Sequence, residues 1–286
     1  MFTQDAVTQL REKIQRKAIA TPLTKQPIST AYIQAGKGGN PILLLHGFDS
    51  SLLEFYRLFP LLAAKNETWA IDLLGFGFTD RIEGINFNPS TIKTHLYCCW
   101  KSLINQPIIL LGCSMGGAAA IDFTITYPQA VKKLILIDSV GYSGSFPFGK
   151  YLFPPSDYIA VEYWRQRKLQ ALNIVNLINS NSADSLALKS VTLHLQMPRW
   201  VEATISFTKS CGYSWLGDKI AQIDKSTLIL WGESDETLGT EDAKKFQRDI
   251  AHSKLIWIKD CGHAPQLEKP EIIAEHILSF ALDSRF

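Results

Sequence analysis

The pentapeptide Gly112-Cys113-Ser114-Met115-Gly116 constrains the fold of this chain more than any other stretch. It follows an apolar run at 107–111 and precedes Gly117-Ala118-Ala119-Ala120, which reads as a strand, a sharp turn and a helix with a serine at the apex. Glycines are required two residues either side of the serine, because a Cβ there collides with the neighbouring strand and helix. Such a turn lifts the hydroxyl clear of the backbone and points to a covalent serine enzyme. The spacing Gly-x-Ser-x-Gly arises by chance in about one protein of this length in ten, so the reading depends on partners elsewhere in the chain.

Short apolar runs recur at 30–34, 41–45, 68–72, 107–111, 133–138, 227–231 and 254–258 and predict strands. Helical patterns at 52–64, 90–104, 115–127, 241–250 and 270–281 alternate with them, with Ser90 as an N-cap and Pro270 in a first turn. Buried strands alternating with helices imply a doubly wound, mostly parallel sheet covered on both faces. The alternation breaks after Asp138, where roughly ninety residues precede the next core strand, too many for an ordinary connection. The spacing predicts an inserted helical subdomain at 143–212, with 1–142 and 213–286 forming the core. Near the N-terminus, Val7, Leu10, Ile14 and Ala18 lie at helical spacing, flanked by Arg11, Lys13, Arg16 and Lys17. That stripe suits a helix docked on its own domain, and a membrane-surface helix is the alternative.

Composition narrows the class of partner. Apolar residues make up 46% and the formal net charge is +2 without a long basic run, so a nucleic-acid footprint is not expected and neutral or apolar substrates suit the chain better. The cysteines Cys98, Cys99, Cys113, Cys211 and Cys261 are odd in number and lack metal-like spacing. With neither a secretory leader pattern nor an apolar run of membrane-spanning length, a soluble, cytoplasmic protein is expected.

A serine hydroxyl is almost wholly unionised at neutral pH, so its attack needs a base and an acid that orients the base. In a doubly wound sheet these groups come from loops at the carboxyl ends of later strands. Two loops qualify: Gly232-Glu233-Ser234-Asp235 and Asp260-Cys261-Gly262-His263-Ala264-Pro265, which places the residues in the order Ser114, Asp235, His263. Asp138, at the end of an earlier core strand, competes with Asp235 for the role of acid.

With His46-Gly47-Phe48, the run Asp72-Leu73-Leu74-Gly75-Phe76-Gly77-Phe78-Thr79-Asp80, the serine turn, Trp231-Gly232-Glu233-Ser234-Asp235 and Gly262-His263, the sequence resembles α/β-hydrolase fold enzymes. The resemblance covers nearly the whole chain apart from the insertion and about the first 25 residues. It implies an α/β-hydrolase fold with the insertion as a helical cap over the site. It further implies Ser114 as nucleophile, His263 as general base and then acid, Asp235 as the orienting carboxylate, and the backbone N–H groups of Phe48 and Met115 as the oxyanion hole. His46 is expected to shape the oxyanion loop, Asp72, Gly75, Gly77, Asp80 and Arg81 to form a structural turn, and Cys113 to point away from the cleft. The usual proline shortly after the acid is absent, since Glu236-Thr237-Leu238-Gly239 follows Asp235. A serine rather than an aspartate at the apex argues against dehalogenase or epoxide hydrolase chemistry.

The insertion is rich in aromatic residues: Phe146, Phe148, Tyr151, Phe153, Tyr158, Tyr163, Trp164, Trp200 and Phe207, with Tyr213 and Trp215 just beyond. A pocket lined by some of them favours a bulky apolar or aromatic group. His95, His194, His252 and His276 lack a motif and are read as surface or satisfied core residues, with substrate contact by His194, inside the insertion, as the alternative. The expected activity is cofactor-independent, metal-free hydrolysis of a carboxylic ester of such a group through an acyl-enzyme. The alternatives are carbon–carbon bond hydrolysis of the meta-cleavage product type and a non-catalytic ligand-binding role.

Overall fold

The computed structural model describes residues 5–144, 149–151, 153–179 and 182–283. Its strands are β1 (Gln15–Thr21), β2 (Thr24–Ala35), β3 (Ile42–Leu45), β4 (Thr68–Ile71), β5 (Ile108–Cys113), β6 (Val131–Ile137), β7 (Thr227–Gly232) and β8 (Ser253–Ile258). They form one sheet in the order β1-β2-β4-β3-β5-β6-β7-β8. β3, β5 and β7 are buried along their whole length and β6 nearly so, which is why they read as unbroken apolar runs. From β4 to β8 every neighbouring pair is parallel, while β2 pairs antiparallel with both β1 and β4. This is the α/β-hydrolase fold expected from the sequence.

The helices are α1 (Ala6–Glu12), α2 (Leu58–Ala63), α3 (Pro89–Leu103), α4 (Met115–Thr126), α5 (Ser156–Asn179), α6 (Ala183–Ser190), α7 (Trp200–Lys209), α8 (Glu241–Asp249), α9 (Pro265–Glu268) and α10 (Pro270–Leu282). Two apolar clusters occupy opposite faces of the sheet: Leu43 and Leu45 belong to one and Ile42 and Leu44 to the other, as strand alternation requires. β4 and β5 flank β3 on opposite sides, so the chain reverses its direction of winding there. A crevice opens at such a point beyond the strand C-termini, and ligands bind in crevices of this kind.

Several local expectations change. The N-terminal stripe is not one helix: α1 ends at Glu12, and Ile14 and Ala18 lie after it, Ala18 within β1. Only Ile19 of β1 is buried, and the charged side chains of this edge strand protect it from pairing with another chain. Val7 and Leu10 of α1 are buried in the domain. Segment 52–64 splits into a 3-10 turn at Leu52–Phe55 and α2. The N-cap of α3 is Asn88 rather than Ser90: the Asn88 side chain accepts from the Thr91 N–H at 3.1 Å, and Pro89 occupies the first turn. Asparagine at an N-cap followed by proline outcompetes a serine two residues later, because proline's missing N–H costs nothing in the first turn.

Between β6 and β7 the chain leaves the sheet, and the regular elements there are α5, α6, α7 and short 3-10 turns. Phe146 and Phe148 lie outside the described residues. Among the described residues, no helix is long and apolar enough to cross a membrane.

Candidate active site

Ser114 sits between β5 and α4 with φ 50°, a conformation that is strained for any residue with a Cβ. Packing enforces it. A Cβ at Gly112 would lie 2.2 Å from the Gly116 carbonyl oxygen, and one at Gly116 would lie 2.2 Å from that of Leu45, so the strand–helix approach tolerates only hydrogen at both positions. The Ser114 N–H donates to the Ile137 carbonyl of β6 at 3.0 Å, which pins the apex to the neighbouring strand.

The three residues predicted as partners meet at this apex. Ser114 Oγ lies 3.1 Å from His263 Nε2, and His263 Nδ1 lies 2.9 Å from Asp235 Oδ2. The other carboxylate oxygen of Asp235 accepts the N–H groups of Thr237 at 2.8 Å and Leu238 at 3.1 Å. These two amides orient the carboxylate in a loop that lacks the usual proline. Beyond the histidine, Glu268 of α9 accepts from the flanking amides of Gly262 at 2.8 Å and Ala264 at 3.2 Å, fixing the loop that carries His263. With Nδ1–H donating to Asp235, the imidazole Nε2 is left to accept the serine proton.

Asp138, the competing acid, does not bond the histidine. Its Oδ1 accepts from the Gly232 N–H at 2.9 Å, and its Oδ2 is buried without a partner among the described residues. Burial pushes this carboxyl up to about 8, with the nearby Asp235 and Glu268 charges adding to the effect. The folded protein thus holds a proton that an unfolded aspartate releases near pH ~4. From about pH 4 to about 8 the unfolded chain binds fewer protons than the native one, so stability falls as pH rises through this window. Asp138→Asn is expected to flatten that decline, read as unfolding midpoints in urea across pH 5 to about 8, with a slope change of at most about 1.4 kcal/mol per pH unit.

Asp138, Asp235 and His263 form the single group of three potential metal ligands among the described residues, their nearest donor atoms lying within 4.8 Å of one another. His263 Nδ1 and Asp235 Oδ2 are engaged with each other. A metal there would have to break that hydrogen bond, so the arrangement fits proton transfer better than coordination.

His46 is buried, and burial lowers its basicity to about 3. Its Nδ1–H donates to the Gly47 carbonyl at 2.8 Å and its Nε2 accepts from the Leu73 N–H at 3.1 Å. It therefore braces the loop after β3 as a neutral ring. Glu54, which the sequence did not single out, accepts from the Gly47 N–H at 3.1 Å and is buried, which pushes its carboxyl up to about 7. Asp72 accepts from the Leu52 and Phe78 N–H groups, both at 2.6 Å, and Arg81 donates to the Gly75 and Gly77 carbonyls at 3.0 and 3.1 Å, so this turn is structural. Cys113 is buried and its thiol is pushed well above the usual value by desolvation. His95 is a buried core residue bonded to Thr30 Oγ1 at 2.8 Å.

Two cavities meet at Ser114. One, of about 210 Å³, is apolar apart from Ser114 and Thr237 and is lined by Phe48, Met115, Val140, Phe207, Tyr213 and Leu238 among others. The other, of about 330 Å³, has the polar side chains of Asp49, Glu54, Lys168, His263 and Gln266 in its wall beside the apolar Phe48, Val191 and Leu267. Of the aromatic residues expected around the pocket, Phe207 and Tyr213 line the apolar cavity, whereas Tyr151, Phe153, Tyr158, Tyr163 and Trp164 are more than half exposed. His194 does not line either cavity: it is buried and faces Asp49 at 3.3 Å. Phe48 and Met115 flank Ser114 in the apolar cavity, Met115 as the first residue of α4.

The profile of the alpha/beta hydrolase family matches residues 42–276. The chain is 37% identical over 245 residues to the alpha/beta hydrolase domain-containing protein VTE7 of Arabidopsis thaliana, covering 85% of this chain and 74% of that protein. It is 28% identical over 247 residues to the 2-hydroxy-6-oxo-2,4-heptadienoate hydrolase of Pseudomonas putida, covering 81% of this chain and 85% of that enzyme. Among solved structures, a thermophilic esterase from Thermogutta terrifontis superposes with a TM-score of 0.75 at 24% identity, covering 93% of this chain and 97% of its own.

Proposed function

The chain belongs to the alpha/beta hydrolase family, and from that premise we propose that it cleaves carboxylic esters of a bulky apolar or aromatic group through an acyl-enzyme on Ser114. The observation that carries this reading is the hydrogen-bond chain Ser114–His263–Asp235 at the mouth of an apolar cavity. His263 Nε2 takes the hydroxyl proton as Ser114 Oγ bonds to the ester carbonyl carbon. Asp235 stabilises the resulting imidazolium without taking its proton. The oxyanion is held by the backbone N–H groups of Phe48 and Met115, the latter at a helix N-terminus whose dipole favours negative charge. His263 then returns the proton to the departing alkoxide. Water, deprotonated by the same ring, releases the acid and restores Ser114.

The apolar cavity, roofed by Phe207 of α7 and Tyr213, takes the bulky group, which makes the insertion a cap in function. Fluorophosphonate labelling located on Ser114 by peptide mass, followed by turnover of p-nitrophenyl esters of increasing acyl length, tests the reading. Native protein that neither labels nor turns over any ester would overturn it. Leu238→Trp fills the apolar cavity and is expected to cut kcat/KM for long acyl esters by about tenfold or more, leaving acetate esters within about threefold. A cytoplasmic setting accords with the free thiols of Cys98, Cys99, Cys113 and Cys261.

A second reading has its own support. A substrate with an apolar end in the first cavity and a hydrogen-bonding end near Lys168, His263 and Gln266 in the second would place its carbonyl at Ser114, which suits hydrolysis of a carbon–carbon bond beside a ketone as well as that of an ester. Product analysis with a vinylogous diketone, compared with an ester, separates the two activities.

A further inference from the structure

The loop after β3 carries a buried carboxylate that the proposed reaction does not use. Asp49, 3% exposed and with φ 48°, directly follows Phe48. Its Oδ1 accepts from Trp200 Nε1 at 3.1 Å and lies 3.3 Å from His194 Nε2. Its Oδ2 accepts from Lys168 Nζ at 2.6 Å and Trp164 Nε1 at 3.2 Å. Trp164 and Lys168 come from α5, His194 from the 3-10 turn before α7, and Trp200 from the first turn of α7. Three separate pieces of the insertion therefore converge on one side chain of the core.

A buried carboxylate is costly unless its charge and lone pairs are met, and here each oxygen has two donors. Burial alone raises the carboxyl's affinity for its proton, but His194 and Lys168 more than offset this and leave Asp49 ionised. Burial keeps His194 neutral, so Lys168 supplies the compensating cation. If the insertion moves away, the carboxylate loses all four partners at once. The adjacent aromatic ring shares the same dependence, since Phe48 packs on Phe207 of α7 at 5.8 Å between centroids.

We propose that Asp49 is a positioning residue that couples docking of the helical insertion to the conformation of the oxyanion loop, so that the Phe48 amide is set for catalysis only when α5 and α7 are in place. The inference rests on the oxyanion role proposed for Phe48. Its consequence is that Asp49, Lys168 and Trp200 act as one unit. Removing any of them frees the same loop, and removing a second adds little.

Hydrogen–deuterium exchange reads the coupling without any chemistry. In Asp49→Ala and in the milder Trp200→Phe, amides at 46–52 and 158–170 are expected to exchange faster together, by about tenfold or more, while α3 and α10 stay protected. Unchanged exchange at either segment would overturn the proposal, whatever the activity. The second arm is the rate of fluorophosphonate labelling and the kcat for p-nitrophenyl acetate. Both are expected to fall by about 10- to 100-fold in Asp49→Ala with little change in KM, because a donor displaced by a fraction of an ångström is lost to the transition state. In Asp49→Ala/Lys168→Met the loss should equal that of Asp49→Ala alone. Losses that add, or labelling at the parent rate, would overturn the proposal. Parent protein that fails to label, with coupled exchange intact, counts against the ester hydrolase reading alone.

Discussion

Replacing Ser114 with alanine is expected to lower ester turnover by about 10⁴-fold or more while leaving the fold and ligand affinity intact. The expectation follows from the geometry of the sharp turn that carries Ser114. Backbone strain at Ser114 is sustained by the clash-limited glycines and by the Ile137 hydrogen bond, none of which involves the hydroxyl. Alanine keeps the backbone and removes only the hydroxyl that is proposed to attack. His263→Ala is expected to lose nearly as much, because the nucleophile and its base act as a unit, and the double variant should be little worse than either single one. Turnover and circular dichroism measured side by side check this. A Ser114→Ala protein that is folded and retains more than about a tenth of parent activity would remove Ser114 from the mechanism.

The second large effect separates two aspartates that the sequence left in competition. Asp235→Asn is expected to reduce kcat by about 10⁴-fold, because an amide in place of the carboxylate favours the wrong imidazole tautomer and withdraws the charge that stabilises the imidazolium. Asp138→Asn should stay within about threefold of the parent in kcat, since a carboxyl already held protonated is mimicked by an amide and bonds Gly232 rather than the histidine. The contrast is read from kcat at neutral pH in the two variants. Equal losses would mean that the histidine is oriented by both carboxyl groups.

Much of this site is legible because its determinants are local. The serine turn announces itself through glycines whose absence of a Cβ is forced by contacts within a few residues or with the adjoining strand. Strands buried on both faces read as apolar runs, and their order places the later loops at the same edge of the sheet. The features without a local signal have the opposite character. β1 carries Gln15, Arg16 and Lys17, and only its pairing with β2 makes it a strand. Glu54 and Glu268 look like solvated acids in the sequence, yet they hold the loops bearing Gly47 and His263. Tyr151, Phe153, Tyr158, Tyr163 and Trp164 of the insertion are more than half exposed, although as aromatic residues they read as buried.

The sequence by itself determined the fold, the sharp turn that carries Ser114 and the two loops that carry Asp235 and His263, because backbone sterics and hydrophobic periodicity act over a few residues and leave a pattern in the chain. Tertiary structure alone decided between Asp235 and Asp138, and chose Phe207 and Tyr213 to line the apolar cavity. It also brought Trp200, 151 residues away in sequence, onto the Asp49 carboxylate. Hydrogen bonding and desolvation depend on distances of a few ångströms. Between residues so far apart in the chain, packing sets those distances, and no local pattern encodes them.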